Sequence, residues 1–296
     1  MKFSIYSRPA TTEGSDFITE VIHFLLEKGG EVGVFHALFA LLPNDLQSEI
    51  SGTFANQQEL AALHPDFLLS IGGDGTFIDA ANLVGDTGMP ILGINTGRIG
   101  FLTNVNRSNY KEAFEFLQNS DYQIEKRSLL QITSDNGATL PAAFALNDIS
   151  IHPHGDSINA VHVVANGERL NTYWGDGLIV ATPTGSTAYS LSCGGPILVP
   201  SANVMVLTPI ASHSLTVRPI VLPTDNELKI RVESRSHHFI LSVDSHRLTM
   251  DDTVTLTVSR APYTIQTIRL PNAGFYSVIR EKLLWGLDKR NFSNNE

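Results

Sequence analysis

Residues 67–84 read FLLSIGGDGTFIDAANLV. An apolar run of strand length, Phe67–Ile71, leads directly into Gly72-Gly73-Asp74-Gly75-Thr76, and helical spacing follows from Thr76. Strand, glycine turn and helix form the repeating unit of α/β sheets. The unit brings backbone N–H groups and a helix N-terminus to one point, which suits an anion, and glycines let that anion come close. Reading Asp74-Gly75 as a hairpin turn would need a second strand, whereas TFIDAANLV has the apolar and small residues of a helix. The carboxylate of Asp74 is then out of place beside a phosphate unless its charge is cancelled. Two roles achieve this: holding a divalent cation that bridges phosphates, or taking the proton of an attacking hydroxyl. Either role suggests phosphoryl transfer to an alcohol.

Around this unit the first third of the chain alternates. Strands are expected at Lys2–Tyr6, Glu31–Phe35 and Pro90–Ile94, and helices at Asp16–Lys28, closed by Gly29-Gly30, and from a Ser108 cap to Leu117. That order predicts an α/β domain with a parallel sheet. Beyond Ser120 the pattern changes to short strands separated by turn residues. They are expected at Gln123–Thr133, Ala142–Ile151, Ala160–Asn166, Leu178–Thr182, Val204–Thr208, Leu228–Val232, Phe239–Val243, Thr253–Val258 and Tyr263–Leu270. This is a β-rich, sandwich-like region, interrupted by one short helix near Thr187–Ser192. Helical spacing returns over Phe275–Leu287, and Asn291–Glu296 reads as a frayed tail. Two domains are expected from the pattern, residues 1–120 and residues 121–274, followed by the helical segment within 275–296.

The 296 residues carry 20 basic against 30 acidic side chains, a net charge of −10, so nothing suggests a nucleic-acid partner. A single cysteine, Cys193, excludes an intrachain disulfide and fits a reducing compartment. No stretch approaches the roughly 18 apolar residues of a membrane span, and the first residues lack a signal-peptide core. A soluble, cytoplasmic protein is expected.

Residues 175–196, GDGLIVATPTGSTAYSLSCGGP, form a second cluster. Gly175-Asp176-Gly177 leads a strand, and the hydroxyl-rich Thr182–Thr187 enters a short helix. Two readings stand open here: a polar ligand held by hydroxyls and N–H groups, or an ordinary turn capped by Ser186 or Thr187. The two clusters, with GINTGRIGFL at 93–102, ALND at 145–148 and TPIASHSLTVRPIVLP at 208–223, closely resemble the bacterial NAD kinases. The resemblance covers about Phe67 to Pro223. GGDG alone occurs also in 6-phosphofructokinases and lipid kinases; five ordered blocks are far more specific.

The resemblance implies transfer of the ATP γ-phosphate to the 2′-hydroxyl of the adenosine ribose of NAD, giving NADP. It implies Asp74 as catalytic base, and Gly72, Gly73, Gly75 and Thr76 as the phosphate-handling turn. Asn147 and Asp148 correspond to the pair that contacts the adenosine, and Asp176 to the residue at the nicotinamide end. Thr187, Ala188, Tyr189 and Ser192 line the site. A divalent cation, Mg²⁺ riding on ATP, is implied without protein metal ligands, as are a homodimer or homotetramer and a terminal helix packing on the first domain. Three positions depart from the pattern. Asp148 stands where many members have glutamate, Trp174 where many have a basic residue, and Asp244-Ser245 where an Asp-Gly is common, which leaves the role of Asp244 open.

Other polar residues read less specifically. Arg218 suits a phosphate or a structural ion pair, as does Arg98 in its glycine turn; His213 shares the Arg218 segment. His152-Pro153-His154 lacks a third ligand and reads as a surface strand end. Cys193 reads as a small buried group, and Phe275, Tyr276 and Trp285 as core or subunit contact. The alternatives are a kinase for another alcohol, a dinucleotide sensor without catalysis, and a hydride-transferring dehydrogenase. The last lacks a G-x-G-x-x-G after the first strand.

Overall fold

A computed structural model describes residues 1–8, 12–97, 100–103, 105–155, 159–271 and 274–286. The chain forms two units, residues 1–125 with 265–296, and residues 126–264.

The first unit contains, in chain order, β1 (Lys2–Tyr6), α1 (Thr12–Glu27), β2 (Glu31–Phe35), α2 (His36–Phe39), α3 (Asn44–Gln47), β3 (Gly52–Phe54), α4 (Gln57–Ala62), β4 (Phe67–Ile71), α5 (Asp74–Val84), β5 (Ile91–Asn95), β6 (Val105–Asn106) and α6 (Tyr110–Gln118). Its strands are parallel in the order β3-β2-β1-β4-β5, with β6 beyond β5. Alternation along each strand divides the side chains between two faces. Phe3, Ile5, Leu69, Ile71, Leu92 and Ile94 share one apolar cluster with Phe17, Val21 and Leu25 of α1 and Phe114 and Leu117 of α6. The intervening Ser4 and Gly93 face the other way. There Phe77 of α5 lies so close that a methyl group on Gly93 would stand 3.0 Å from its ring. Phe77 is fully buried, worth about 1.5–3 kcal/mol relative to exposure. The α/β expectation holds, and β1, β2 and β4 fall at their predicted limits or within one residue. The short helices α2, α3 and α4 were not anticipated. Ser108 is not the cap of α6: Asn109 occupies that position without a capping bond, and the Ser108 hydroxyl donates to Asn106 Oδ1.

The second unit holds the remaining strands, most of them antiparallel. They are β7 (Gln123–Ser134), β8 (Phe144–Ala145), β9 (Asp148–Pro153), β10 (Asn159–Ala165), β11 (Glu168–Gly175), β12 (Gly177–Ala181), β13 (Val204–Ile210), β14 (Ile220–Pro223), β15 (Leu228–Ser234), β16 (His238–Val243), β17 (His246–Asp251) and β18 (Thr255–Arg269), with helix α7 (Tyr189–Ser192) after β12. One layer runs β11-β10-β15-β18 and the other β14-β13-β12-β9-β16-β17. Between them lie Val161, Val163, Ile230, Val232, Leu256 and Val258 from the first layer, and Ile149, Ile151, Leu178, Val180, Leu207 and Leu241 from the second. This is a sandwich, as expected. Strand β12 is apolar throughout because both its faces are covered. Leu178 and Val180 join the central core, while Ile179 and Ala181 pack with Val206, Ile210 and Leu198 on the reverse.

Two strand predictions need correction. Thr253–Val258 and Tyr263–Leu270 are one strand, β18, which runs through Pro262. Ala142–Ile151 is two, because Leu146 and Asn147 leave the ladder to make the turn described below. The final helix, α8 (Phe275–Leu283), belongs to the first unit, burying Val278 and Ile279 and setting Lys282 Nζ 4.6 Å from the centre of the Phe101 ring. Leu287 and the expected tail lie outside the described residues. Among the described residues no helix is long and apolar enough to cross a membrane.

Candidate active site

In the first unit the chain steps outward from β1 through β2 to β3, then returns to place β4 on the other side of β1. The strand order therefore reverses between β1 and β4, and in open α/β sheets ligands bind beyond the carboxyl ends of the strands at such a point. The segments leaving those two ends are Ser7-Arg8 and the Gly72–Thr76 turn.

Gly72 adopts a φ of +153°, and a Cβ there would stand 2.8 Å from Thr76 Cβ, so glycine is required by both backbone and space. Its N–H donates to Ile94 O at 2.8 Å. Gly73 is exposed at the N-cap, and its carbonyl accepts from Thr76 N and Phe77 N at 3.0 and 3.1 Å. The helix opens on Asp74, two residues before the predicted start. A carboxylate there is stabilised by the helix dipole, typically by 0.3–1 kcal/mol.

The Asp74 carboxylate also fastens a second loop. It accepts from Phe101 N at 2.9 Å on Oδ2, and from Leu102 N at 3.1 Å and Thr103 Oγ1 at 3.2 Å on Oδ1. Thr103 Oγ1 in turn accepts from Asn95 Nδ2 at 2.9 Å. A Cβ on Gly100 would overlap Asp74 Oδ1 and stand 2.6 Å from Asp74 Cγ. Residues 100–103, at and just beyond the end of the GINTGRIGFL segment, are thus the partner of the GGDG turn. The charge of Asp74 is offset by loop N–H donors as well as by the helix, a solution the sequence reading did not consider. Oδ2 has one donor among the described residues and keeps a lone pair for a further proton. Arg98 lies outside the described residues.

In the second unit Asn147 and Asp148 stand at the start of β9, beside a half-buried carboxylate. Asp244, held in a left-handed conformation at φ +50°, accepts from Leu146 N, Asn147 N and Asp148 N at 2.8, 2.8 and 3.0 Å. Its own N–H donates to Asp148 O at 2.9 Å. The role left open for Asp244 is therefore to shape this turn. Burial raises the pKa of both acids. Asp148 is pushed up to about 7, by desolvation first and then by the negative charge of Asp244. Asp244 is also raised by desolvation, against the pull of its three N–H donors.

The hydroxyl-rich loop packs on the same turn. Thr182 Oγ1 donates to Leu146 O at 2.6 Å, Thr182 N donates to Asn147 O at 2.9 Å, and Gly185 N donates back to Thr182 Oγ1 at 3.0 Å. Ser186 Oγ donates to Pro183 O, and Thr187 Oγ1 to Thr184 O. Most of these hydroxyls thus bond the loop's own backbone. Neither Ser186 nor Thr187 caps the helix; the N-cap of α7 is Ala188. Thr187 and Ala188 are half-buried, while Tyr189 and Ser192 are exposed.

The Tyr189 ring stacks on His152 with centroids 5.9 Å apart. His152 is not a bare strand end. It is half-buried, bonded to Ser150 Oγ at 3.0 Å, and its pKa is lowered by burial and by Arg247. Sequence reading missed this neighbour because His-Pro-His resembles a terminus rather than an aromatic platform.

The structure therefore groups Gly72, Gly73, Asp74, Gly75 and Thr76 in the first unit, and Asn147 and Asp148 with the loop that ends at Thr187 in the second. Asp176 and Ser192 are exposed, Asp176 between β11 and β12, and among the described residues neither joins these groups through a side-chain hydrogen bond. Arg218 wraps its own turn, donating to Leu215 O and Val217 O at 2.7 and 2.8 Å. Cys193 is half-buried, and Tyr276 and Trp285 are exposed. Among the described residues no three His, Cys, Asp or Glu side chains converge to hold a metal ion.

The chain is similar to known proteins over nearly its whole length. The model of the ATP-NAD kinase N-terminal domain matches residues 7–122, and that of the ATP-NAD kinase C-terminal domain residues 146–270. The chain is 40% identical over 291 residues to an NAD kinase of Bacteroides fragilis, covering 98% of this chain and 100% of that one. It is 38% identical over 296 residues to an NAD kinase of Flavobacterium psychrophilum, with coverage of 98% and 100%. Among solved structures it resembles yeast NADH kinase complexed with NADH, with a TM-score of 0.85, 25% identity and coverage of 97% and 89%. An NAD kinase from Archaeoglobus fulgidus in complex with ATP shares the fold, with a TM-score of 0.74, 22% identity and coverage of 96% and 99%. The chain belongs to the NAD kinase family.

Proposed function

We propose that the protein phosphorylates NAD to NADP with ATP. The γ-phosphorus forms a bond to the 2′-oxygen of the adenosine ribose and breaks its bond to the β,γ-bridging oxygen, whose electron pair leaves with ADP. Asp74 accepts the proton released by the 2′-hydroxyl. The observation that carries this role is the fixation of its carboxylate at the mouth of the glycine turn by three donors, with one Oδ2 lone pair still available. A base held in place typically contributes 10²–10⁴-fold. Gly72, Gly73, Gly75 and Thr76 take the donor phosphates.

In the second unit Asn147 and Asp148 contact the adenosine, and Asp176 serves the nicotinamide end. Thr187, Ala188, Tyr189 and Ser192 line the dinucleotide subsite. At neutral pH Asp148 is part protonated, which equips it to donate as well as accept a hydrogen bond. The domains would be residues 1–120 with 275–296, and residues 121–274. A divalent cation, Mg²⁺, would arrive with ATP and neutralise phosphate charge, as such ions bind through phosphates and water rather than protein cages. The protein would work in the cytoplasm as a homodimer or homotetramer.

The test is incubation with ATP, Mg²⁺ and either NAD or NADH, with NADP or NADPH and ADP measured together. Dinucleotide binding without ADP would instead identify a sensor. Asp74→Asn is expected to abolish NADP formation while NAD binding persists, and near-normal turnover would remove Asp74 as the base.

A further inference from the structure

Beyond the family's glycine turn, the carboxyl end of β1 supplies a cation that no motif in the chain advertises. Arg8 leaves β1 at the point where the strand order reverses, next to the turn that follows β4. Its Nε donates to Asp79 Oδ2 at 2.6 Å, and its Nη2 donates to Gly75 O at 3.3 Å. The same Oδ2 of Asp79, on α5, also accepts from the Tyr6 hydroxyl at 3.3 Å. Burial and the charge of Asp79 push the Tyr6 pKa up to about 12, so this hydroxyl keeps its proton and remains a donor.

The guanidinium is thus pinned at two points, one on the turn and one further along α5. It lies against Gly75, where an added Cβ would make ordinary contact 3.4 Å from Arg8 Nη1. A guanidinium carries five N–H donors in a planar fork. Those on Nη1 have no acceptor among the described residues, and half of the side chain is open to solvent. A surface ion pair made only for stability has a typical value of about 0–1 kcal/mol and needs no such seat. An arginine pre-oriented at a phosphate turn with donors to spare matches the planar recognition of phosphate oxygens.

We propose that Arg8 binds the terminal phosphates of the donor triphosphate and offsets the charge that builds on them as the bridging oxygen departs. Asp79 and Tyr6 are positioning residues that aim the guanidinium. The inference rests on the NAD kinase reading for the identity of the donor, but not for the affinity of Arg8 for phosphate.

The test uses the full chain and three variants, Arg8→Ala, Arg8→Lys and Asp79→Asn. Steady-state kinetics would be recorded with ATP and NAD varied separately, alongside calorimetric titration with inorganic triphosphate. Arg8→Ala is expected to lower kcat/KM for ATP by about 10²-fold, the usual cost of losing one such donor, while KM for NAD stays within about threefold. Arg8→Lys should restore part of the loss, since it returns the charge without the fork, and Asp79→Asn should raise KM for ATP through a looser guanidinium. Triphosphate affinity should fall at least tenfold in Arg8→Ala.

An Arg8→Ala protein with unchanged ATP kinetics and triphosphate affinity overturns the proposal, whatever its melting temperature. So does a rise in KM for NAD alone, which would assign Arg8 to the acceptor. If Arg8→Ala does not fold, Arg8→Lys and Asp79→Asn carry the same readings. If the wild type forms no NADP, the kinase reading fails, and the triphosphate titration still decides whether Arg8 binds phosphate.

Discussion

Replacing Gly100 by alanine tests the link between the glycine turn and the loop that follows β5. The added methyl group would overlap Asp74 Oδ1 and stand 2.6 Å from Asp74 Cγ, where ordinary contact begins near 3.4 Å. Clearing Cγ alone therefore demands a shift of about 0.8 Å, and clearing Oδ1 demands more. The three bonds to Asp74 are between 2.9 and 3.2 Å long. A displacement of that size takes all of them beyond useful length, given how steeply such bonds weaken. Each charged hydrogen bond is worth about 1.5–3 kcal/mol, but water can replace part of what is lost at this half-open site. A net destabilisation of about 2–4 kcal/mol is expected. The catalytic effect should be larger, because a group misplaced by about 1 Å typically costs about 10²-fold in rate. Urea unfolding and the ATP- and NAD-dependent rate of NADP formation, measured on one preparation, check both figures. A folded Gly100→Ala enzyme with kcat within about threefold of wild type would refute the assignment of Asp74 as a base placed by this loop.

Two further outcomes follow from the second unit. The Asp148 carboxyl titrates near 7 in the folded chain against about 3.9 when unfolded, so between these values the native state keeps a proton that the unfolded state has lost. The Asp148 contribution to stability is therefore greatest below about pH 4, falls as the pH rises to about 7, and is level above. Three units correspond to about 4 kcal/mol, and Asp148→Asn should flatten that stretch of a urea-unfolding series between pH 4 and 8; an unchanged slope would contradict the shift. Asp244→Ala removes the acceptor for three backbone N–H groups and should cost about 3 kcal/mol, with KM for NAD raised at least about tenfold. A folded variant with normal KM for NAD would show that this carboxylate does not shape the adenosine subsite.

The elements with strong periodicity were plain in the sequence. β4 is a short apolar run ended by turn residues, β2 is a short run opened by Gly29-Gly30, and α1 repeats its apolar positions at helical spacing, so local pattern and tertiary packing agree. The helices α2, α3 and α4 were not legible because each has at most six residues and only one buried side chain, too short for a period to appear. β18 was cut in two because Pro262 ordinarily ends a strand. In the candidate site, GGDG announced itself through composition. The clamp on Asp74, the Asp244 cap and the His152–Tyr189 stack did not. Each joins residues far apart in the chain, and neither propensity nor spacing encodes such a meeting. Arg8 was passed over for the same reason, since one arginine before a proline carries no pattern until its partner Asp79 is seen.

The threefold anchoring of Asp74 bears on how substitutions there must be interpreted. Asparagine offers one acceptor oxygen where aspartate offers two, so its amide would confront a loop N–H and release the segment at 100–103. An inactive Asp74→Asn enzyme therefore reports two losses together, that of a proton acceptor and that of a latch. Thr103→Val removes one strut while sparing the carboxylate, and its rate relative to Asp74→Asn separates the chemistry of the acid from its carpentry.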